Sequence, residues 1–133
     1  MNTRILVVED DAPSLELALF LLDSAGYATL SASDGGTGLQ LALTAEPDMV
    51  LCDVQMPVLS GYALVHQLRA NPQWRRVPVV AISAFSMRGD RERALQAGFD
   101  GYLPKPIVPG SFVREVESYL EPRQRLSASP TTD

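Results

Sequence analysis

The chain has 133 residues, 46% of them hydrophobic, with a formal net charge of −5 and a pI near 4.8. That length suits one well-buried domain rather than two, and no apolar run approaches the roughly 18 residues that suggest a membrane span. The acidic balance speaks against a nucleic-acid surface, which needs clustered Lys and Arg.

The N-terminus runs straight into a strand-like segment instead of a secretion signal, so a cytoplasmic protein is expected. Arg4 to Val8 is a short apolar run rich in branched residues, read as strand one, and it ends in three acids, Glu9, Asp10 and Asp11. Pro13 suits the first turn of a helix capped by Asp11, and Leu15, Leu19 and Leu22 recur at helical spacing up to Gly26. Tyr27 to Ala32 is a shorter, more polar strand. The following DGGTG, Asp34 to Gly38, lacks the Lys and Ser or Thr of a phosphate loop and is read as a helix start with a mobile turn. Leu39, Ala42 and Leu43 mark the apolar face of helix two, which ends before Pro47.

Met49 to Cys52 is unbroken hydrophobicity, the signature of a central parallel strand covered on both faces. Asp53 follows at its tip, where α/β folds place ligands. Cys52, the single cysteine, is expected to be a reduced core residue. After a loop from Met56 through Pro57 to Gly61, Leu64, Val65 and Leu68 give helix three its stripe, and Asn71-Pro72 closes it. His66 has no Cys, His or acid at ligand spacing and is expected to face solvent, while Trp74 is expected to pack as a lid.

Val77 to Ile82 is another doubly buried strand and delivers Ser83 to its end. Helix four, starting at or just after Ser86 and ending at Gly98, offers little to bury beyond alanines and Leu95. It is expected to be the least firmly held element. Asp100 to Leu103 forms strand five, Pro104-Lys105-Pro106 follows, and Pro109 opens a last helix with Phe112, Val116 and Tyr119 or Leu120 facing inward. Residues 1–121 are expected to form the domain, and 122–133 a disordered polar tail too short for an output domain.

Strands alternating with helices imply right-handed crossovers and a parallel sheet, with polar strand two at an edge and strands one, three and four in the middle. Parallel neighbours would gather the strand tips at one rim: Glu9 and Asp10, Asp53, Ser83 and Lys105. Three carboxylates brought together repel one another and suit a hard divalent cation, with Mg2+ the natural choice. A phosphoryl group would complete that shell, with Lys105 opposing its charge, Ser83 donating a hydrogen bond and Asp53 acting as nucleophile. Lys105 is the only lysine among eleven basic residues.

In their order and separations, ILVVED, LCDVQMP, ISA and GYLPKP resemble the receiver domain of two-component response regulators, over residues 4–120. The resemblance implies a flavodoxin-like, doubly wound five-stranded parallel sheet of order 2-1-3-4-5 with five helices. It makes Asp53 the phosphoacceptor and Asp10 a direct magnesium ligand, with Glu9 acting more through bound water and the Gln55 backbone carbonyl also ligating. Ser83 becomes the switch hydroxyl, Lys105 the phosphate-binding lysine and Tyr102 an aromatic that changes rotamer on activation. A cis Lys105–Pro106 bond is implied too.

The implied partners are a histidine kinase or histidine phosphotransfer protein that supplies the phosphoryl group, and a downstream protein that reads the face of helix four, strand five and helix five. Phosphorylation-dependent homodimerisation through that face is left open, and no nucleic-acid or membrane partner and no enzymatic turnover is expected. Gln55 and Phe85 would flank the path of a hydrolytic water, Phe85 slowing loss of the phosphoryl group. Two rival readings compete with it. A haloacid-dehalogenase-type phosphohydrolase needs a second acid where Gln55 stands, and a receiver-like scaffold that is never phosphorylated would have no use for the acceptor chemistry.

Overall fold

A computed structural model describes residues 3–56, 59–84 and 89–126. Five parallel strands, β1 (Arg4–Val8), β2 (Ala28–Ala32), β3 (Met49–Asp53), β4 (Val79–Ser83) and β5 (Gly101–Pro104), form one sheet in the order β2-β1-β3-β4-β5. Between and after them run α1 (Ala12–Ser24), α2 (Gly35–Ala45), α3 (Gly61–Arg69), α4 (Asp90–Ala97) and α5 (Phe112–Glu117). This is the flavodoxin-like topology expected from the sequence.

Alternation along each strand sends successive side chains to opposite faces, and helices cover both faces. Leu6, Val8, Val50, Cys52, Val79 and Ala81 pack against α2, α3 and α4, whereas Ile5, Val7, Met49, Leu51, Val80 and Ile82 pack against α1 and α5. Every residue of β3 and β4 is therefore buried, which is why neither strand shows a polar alternation. Full burial of such side chains contributes about 1.5–3 kcal/mol each before the entropy of ordering is subtracted. Edge strand β2 buries only Ala32 completely.

Asp11, Asp34 and Ser60 cap α1, α2 and α3, each accepting a backbone N–H from the first turn. Helix α4 has no such cap; it starts after Gly89 in the left-handed region and buries only Ala94. Leu95, expected to anchor it, is 41% exposed, so α4 is held still more thinly than its sequence suggests. The expected start at Ser86 lies outside the described residues.

Helix α2 also differs from expectation. Leu43 faces solvent, and the buried positions are Gly35, Gly38 and Ala42. A Cβ on Gly38 would lie 2.8 Å from both γ-carbons of Val8, and one on Gly35 would lie 1.9 Å from the Leu59 carbonyl oxygen. These glycines are contact points that let α2 lie close to its neighbours, not a mobile turn.

Helix α5 begins at Phe112 instead of Pro109: the Ser111 and Phe112 N–H groups close a single turn onto the Val108 carbonyl, and the regular ladder is taken up from the Glu115 N–H to the Ser111 carbonyl. Residues 122–126, expected to belong to the polar tail, make contacts with the domain. Pro122–Gln124 form a short 3-10 turn, Thr3 Oγ1 donates to the Gln124 carbonyl at 2.7 Å, and the Leu126 N–H donates to the Tyr27 hydroxyl at 3.0 Å. Packing thus continues through Leu126; residues 127–133 lie outside the described residues. Trp74 is buried in the core on the α2–α4 side, His66 is exposed, and Cys52 is fully buried, which pushes its thiol up. No helix among the described residues is long and apolar enough to cross a membrane.

Candidate functional site

Register alone aligns the strand tips. Val8 pairs with Cys52, Asp53 with Ile82, and Ser83 with Pro104. Glu9, Asp53, Ser83 and Lys105 therefore leave four neighbouring strands in sequence along one rim. Lys105 is tied there by its backbone, whose N–H donates to the Ser83 carbonyl at 2.8 Å, and the Lys105–Pro106 bond is cis.

Glu9, Asp10 and Asp53 each present a carboxylate oxygen, and these three atoms lie within 4.8 Å of one another. Glu9 is 2% and Asp53 7% exposed, whereas Asp10 faces solvent. The Lys105 ammonium reaches into the cluster, 2.7 Å from Glu9 Oε1 and 3.1 Å from Asp53 Oδ2. Backbone N–H groups occupy the remaining directions: Gln55 donates to Asp53 Oδ1 at 3.1 Å and Asp11 donates to Glu9 Oε2 at 3.1 Å.

The electrostatics follow from this crowding. Burial, then the hydrogen bond shared with Asp53, raises Glu9 to about 7, and Lys105 and the Asp11 N–H only partly oppose the shift. For Lys105, burial alone would lower the pKa, but the hydrogen bonds and charges of Glu9 and Asp53 outweigh it and hold the ammonium above its ordinary value. Two unit charges about 4 Å apart interact by roughly 4 kcal/mol at the effective dielectric typical of a protein surface. One ammonium cannot neutralise three carboxylates, so the all-oxygen donor set fits a hard divalent cation such as magnesium.

Ser83 is buried at the rim, 2% exposed, and Gln55 is exposed with its backbone against Asp53. Tyr102 on β5 pairs with Ala81 of β4, and its partly buried ring packs against the α2–α4 side of the core. Phe85 lies outside the described residues. The geometry brings Glu9, Asp10, Asp53 and Lys105 together and sets Ser83 and Gln55 beside them.

The sequence reading missed two supports. A Cβ on Gly61 would sit 2.4 Å from the Asp53 carbonyl oxygen, so α3 starts directly against the backbone of Asp53. Asp11, read only as a helix cap, also offers its backbone N–H to Glu9. A glycine immediately after a capping serine was the one signal available for the first; nothing in the residue pattern marks the second.

Comparison with known proteins agrees with the fold. Residues 5–117 match the response regulator receiver domain family. The polar-differentiation response regulator DivK of Brucella ovis is 36% identical over 120 residues, 90% of this chain and 98% of that protein. A putative response regulator from Chloroflexus aurantiacus superposes with a TM-score of 0.85 at 30% identity, covering 90% of this chain and 98% of its own. The receiver domain of a sensor histidine kinase from Pseudomonas aeruginosa gives a TM-score of 0.81 at 34% identity over the same shares, and its structure carries a magnesium ion in the active-site cleft.

Proposed function

The chain belongs to the response regulator receiver domain family of two-component signalling, and from that premise we propose that it is a switch in which Asp53 accepts a phosphoryl group. The observation that carries this reading is the placement of Asp53 between an acid pair and the single lysine, with the ammonium 3.1 Å from its Oδ2. The donor is a phosphohistidine on a histidine kinase or a histidine phosphotransfer protein. A carboxylate oxygen of Asp53 forms the new P–O bond while the P–N bond to the imidazole breaks. Magnesium, held by Asp10 and Asp53 with the Gln55 carbonyl and with Glu9 through water, would offset charge on the transferring group.

The side chains of the site then divide the work. Lys105 meets the charge of the bound phosphoryl group, and Ser83 donates a hydrogen bond to it, drawing in the end of β4. Because α4 has no side-chain cap and buries only Ala94, a small shift there can rearrange the α4–β5–α5 face, with Tyr102 following. A downstream protein, or a second copy of the chain, reads that face. We take the receiver unit to extend through Leu126, the setting to be the cytoplasm, and the role to be a switch rather than a turnover enzyme.

Incubation with acetyl phosphate and magnesium tests the assignment. One phosphoryl group should add to the wild-type chain and none to Asp53→Asn. Labelling that survives in the variant would move the acceptor elsewhere, and rapid turnover of many phosphate esters would make the protein a hydrolase.

A further inference from the structure

The receiver family match ends at residue 117, yet the chain makes contacts with the domain as far as Leu126. Residues 121–126 are organised first by their own bonds: the Gln124 N–H donates to the Glu121 carbonyl at 2.8 Å, and the Glu121 N–H donates to Gln124 Oε1 at 3.2 Å. They bury little. Glu121, Pro122, Arg123, Arg125 and Leu126 are exposed, and Gln124 is half-buried. A cavity of about 580 Å³ is lined jointly by Glu121, Arg123 and Gln124 and by Trp74, Val77 and Asp100, so the segment stands off the domain at that point instead of filling against it. A segment with exposed backbone bonds and little apolar contact opens far more readily than the fold unfolds.

Its fastenings are hydrogen bonds. The buried Thr3 hydroxyl donates to the Gln124 carbonyl at 2.7 Å, Arg125 Nε and Nη2 donate to the Leu120 carbonyl at 3.2 and 3.1 Å, and the Leu126 N–H donates to the Tyr27 hydroxyl at 3.0 Å. The last of these reaches α5. The same hydroxyl donates to Glu117, the final residue of α5, and both side chains are buried, Tyr27 3% and Glu117 6% exposed. A hydroxyl that accepts one hydrogen bond donates a stronger one, because chained bonds polarise each other where the dielectric is low. Withdrawing the Leu126 N–H therefore loosens the grip of Tyr27 on Glu117. Helix α5 is six residues long with no side-chain cap at its start, so the contact at its far end matters to its placement.

We propose that residues 121–126 are a releasable strap that sets the position of α5 through Tyr27 and Glu117. Closed, the strap fixes the C-terminal end of α5; open, it leaves that end looser. The coupling is reciprocal, so a displacement of α5 weakens the strap by the same factor by which strap release weakens α5. The strap rests on the contacts described, and its response to phosphorylation rests in addition on Asp53 being the acceptor.

Hydrogen exchange and limited trypsin cleavage of the full chain, without a phosphoryl donor, compare wild type with Thr3→Val and Leu126→Pro. The first removes the hydroxyl at nearly constant volume. The second removes an N–H at an exposed position, after Arg125, whose extended backbone at ψ 130 accepts a following proline. Both variants should speed exchange of the Val116 and Glu117 amides about fivefold and cleavage after Arg123 by a similar factor, with β3 amides unchanged as the mark of an intact fold. Faster cleavage with unaltered α5 exchange would overturn the proposal, and so would unaltered cleavage in both variants. If Thr3→Val also exposes β3, Leu126→Pro alone decides.

Wild type treated with acetyl phosphate and magnesium should then be cleaved after Arg123 about threefold faster, whereas Asp53→Asn should be cleaved at the same rate with and without the donor. Phosphorylated protein cleaved at the unphosphorylated rate would overturn the link between strap and switch. Absence of labelling in wild type would remove the acceptor assignment, and the two strap variants would still decide the strap.

Discussion

Stripped of divalent cations by EDTA, the protein should lose stability as pH rises from about 5 to about 8, and Glu9 supplies the reason. Its carboxyl titrates near 7 in the fold against 4.5 ordinarily, because burial and the contact with Asp53 penalise the charged form. Between those values the folded chain holds a proton that the unfolded chain has released. The proton-linked stabilisation is complete below 4.5 and is lost as pH climbs through 7. At about 1.36 kcal/mol per pKa unit the shift corresponds to an upper bound of roughly 3.5 kcal/mol. Solvent screening and proton sharing with Asp53 reduce this to about 1–2 kcal/mol. With a urea slope of about 1.5 kcal/mol/M for a domain of this size, the midpoint should fall by about 1 M across the interval.

Other shifted groups stay outside that window. Asp11 and Asp34 are held below their ordinary range by capping hydrogen bonds, so their contribution is lost only on acidification. Lys105 is raised, so its contribution persists through neutrality and is lost at strongly alkaline pH. Glu9→Gln removes the titrating group and should flatten the profile between pH 5 and 8. Parallel profiles for wild type and Glu9→Gln, measured by urea titration in EDTA, would refute the assignment.

Three further outcomes are expected. Magnesium should raise the melting temperature by binding the folded acids, adding about 1.4 kcal/mol at tenfold excess over its dissociation constant, and Asp53→Asn should stabilise the protein in EDTA by relieving repulsion; equal melting curves with and without millimolar magnesium would count against the site. Gly101→Ala should cost about 1–3 kcal/mol in denaturant unfolding, because its new Cβ would lie 2.2 Å from the Tyr119 ring, and Tyr119→Ala should relieve much of that penalty in the double variant. Arg69→Ala should cost roughly 2–4 kcal/mol, since one guanidinium donates to the carbonyls of Gly98, Trp74 and Val77 and pairs with Asp100 at 2.6 Å; faster amide exchange across the α4–β5 turn would locate the loss.

What was legible in the sequence, and what was not, divides along a physical line. β3 and β4 could be read because strands covered on both faces lose their polar alternation, and the resulting runs end at Asp53 and Ser83. The acids of Glu9 and Asp10 could be joined to them because parallel pairing carries strand ends to one rim without further information. Contacts between a side chain and a distant backbone have no period, so the sequence concealed them. Arg69 reaches Gly98 and Asp100 across a long intervening segment, and no spacing announces it. Leu43 and Leu95 look like core residues by type, yet α2 buries Gly35, Gly38 and Ala42 and α4 buries Ala94. The depth of a helix against a sheet is set by its smallest contact residues rather than its most apolar ones. The same reasoning bears on the site: composition singled out Lys105 as the unique lysine, but only the sheet order shows that it must stretch past two strands to reach Glu9.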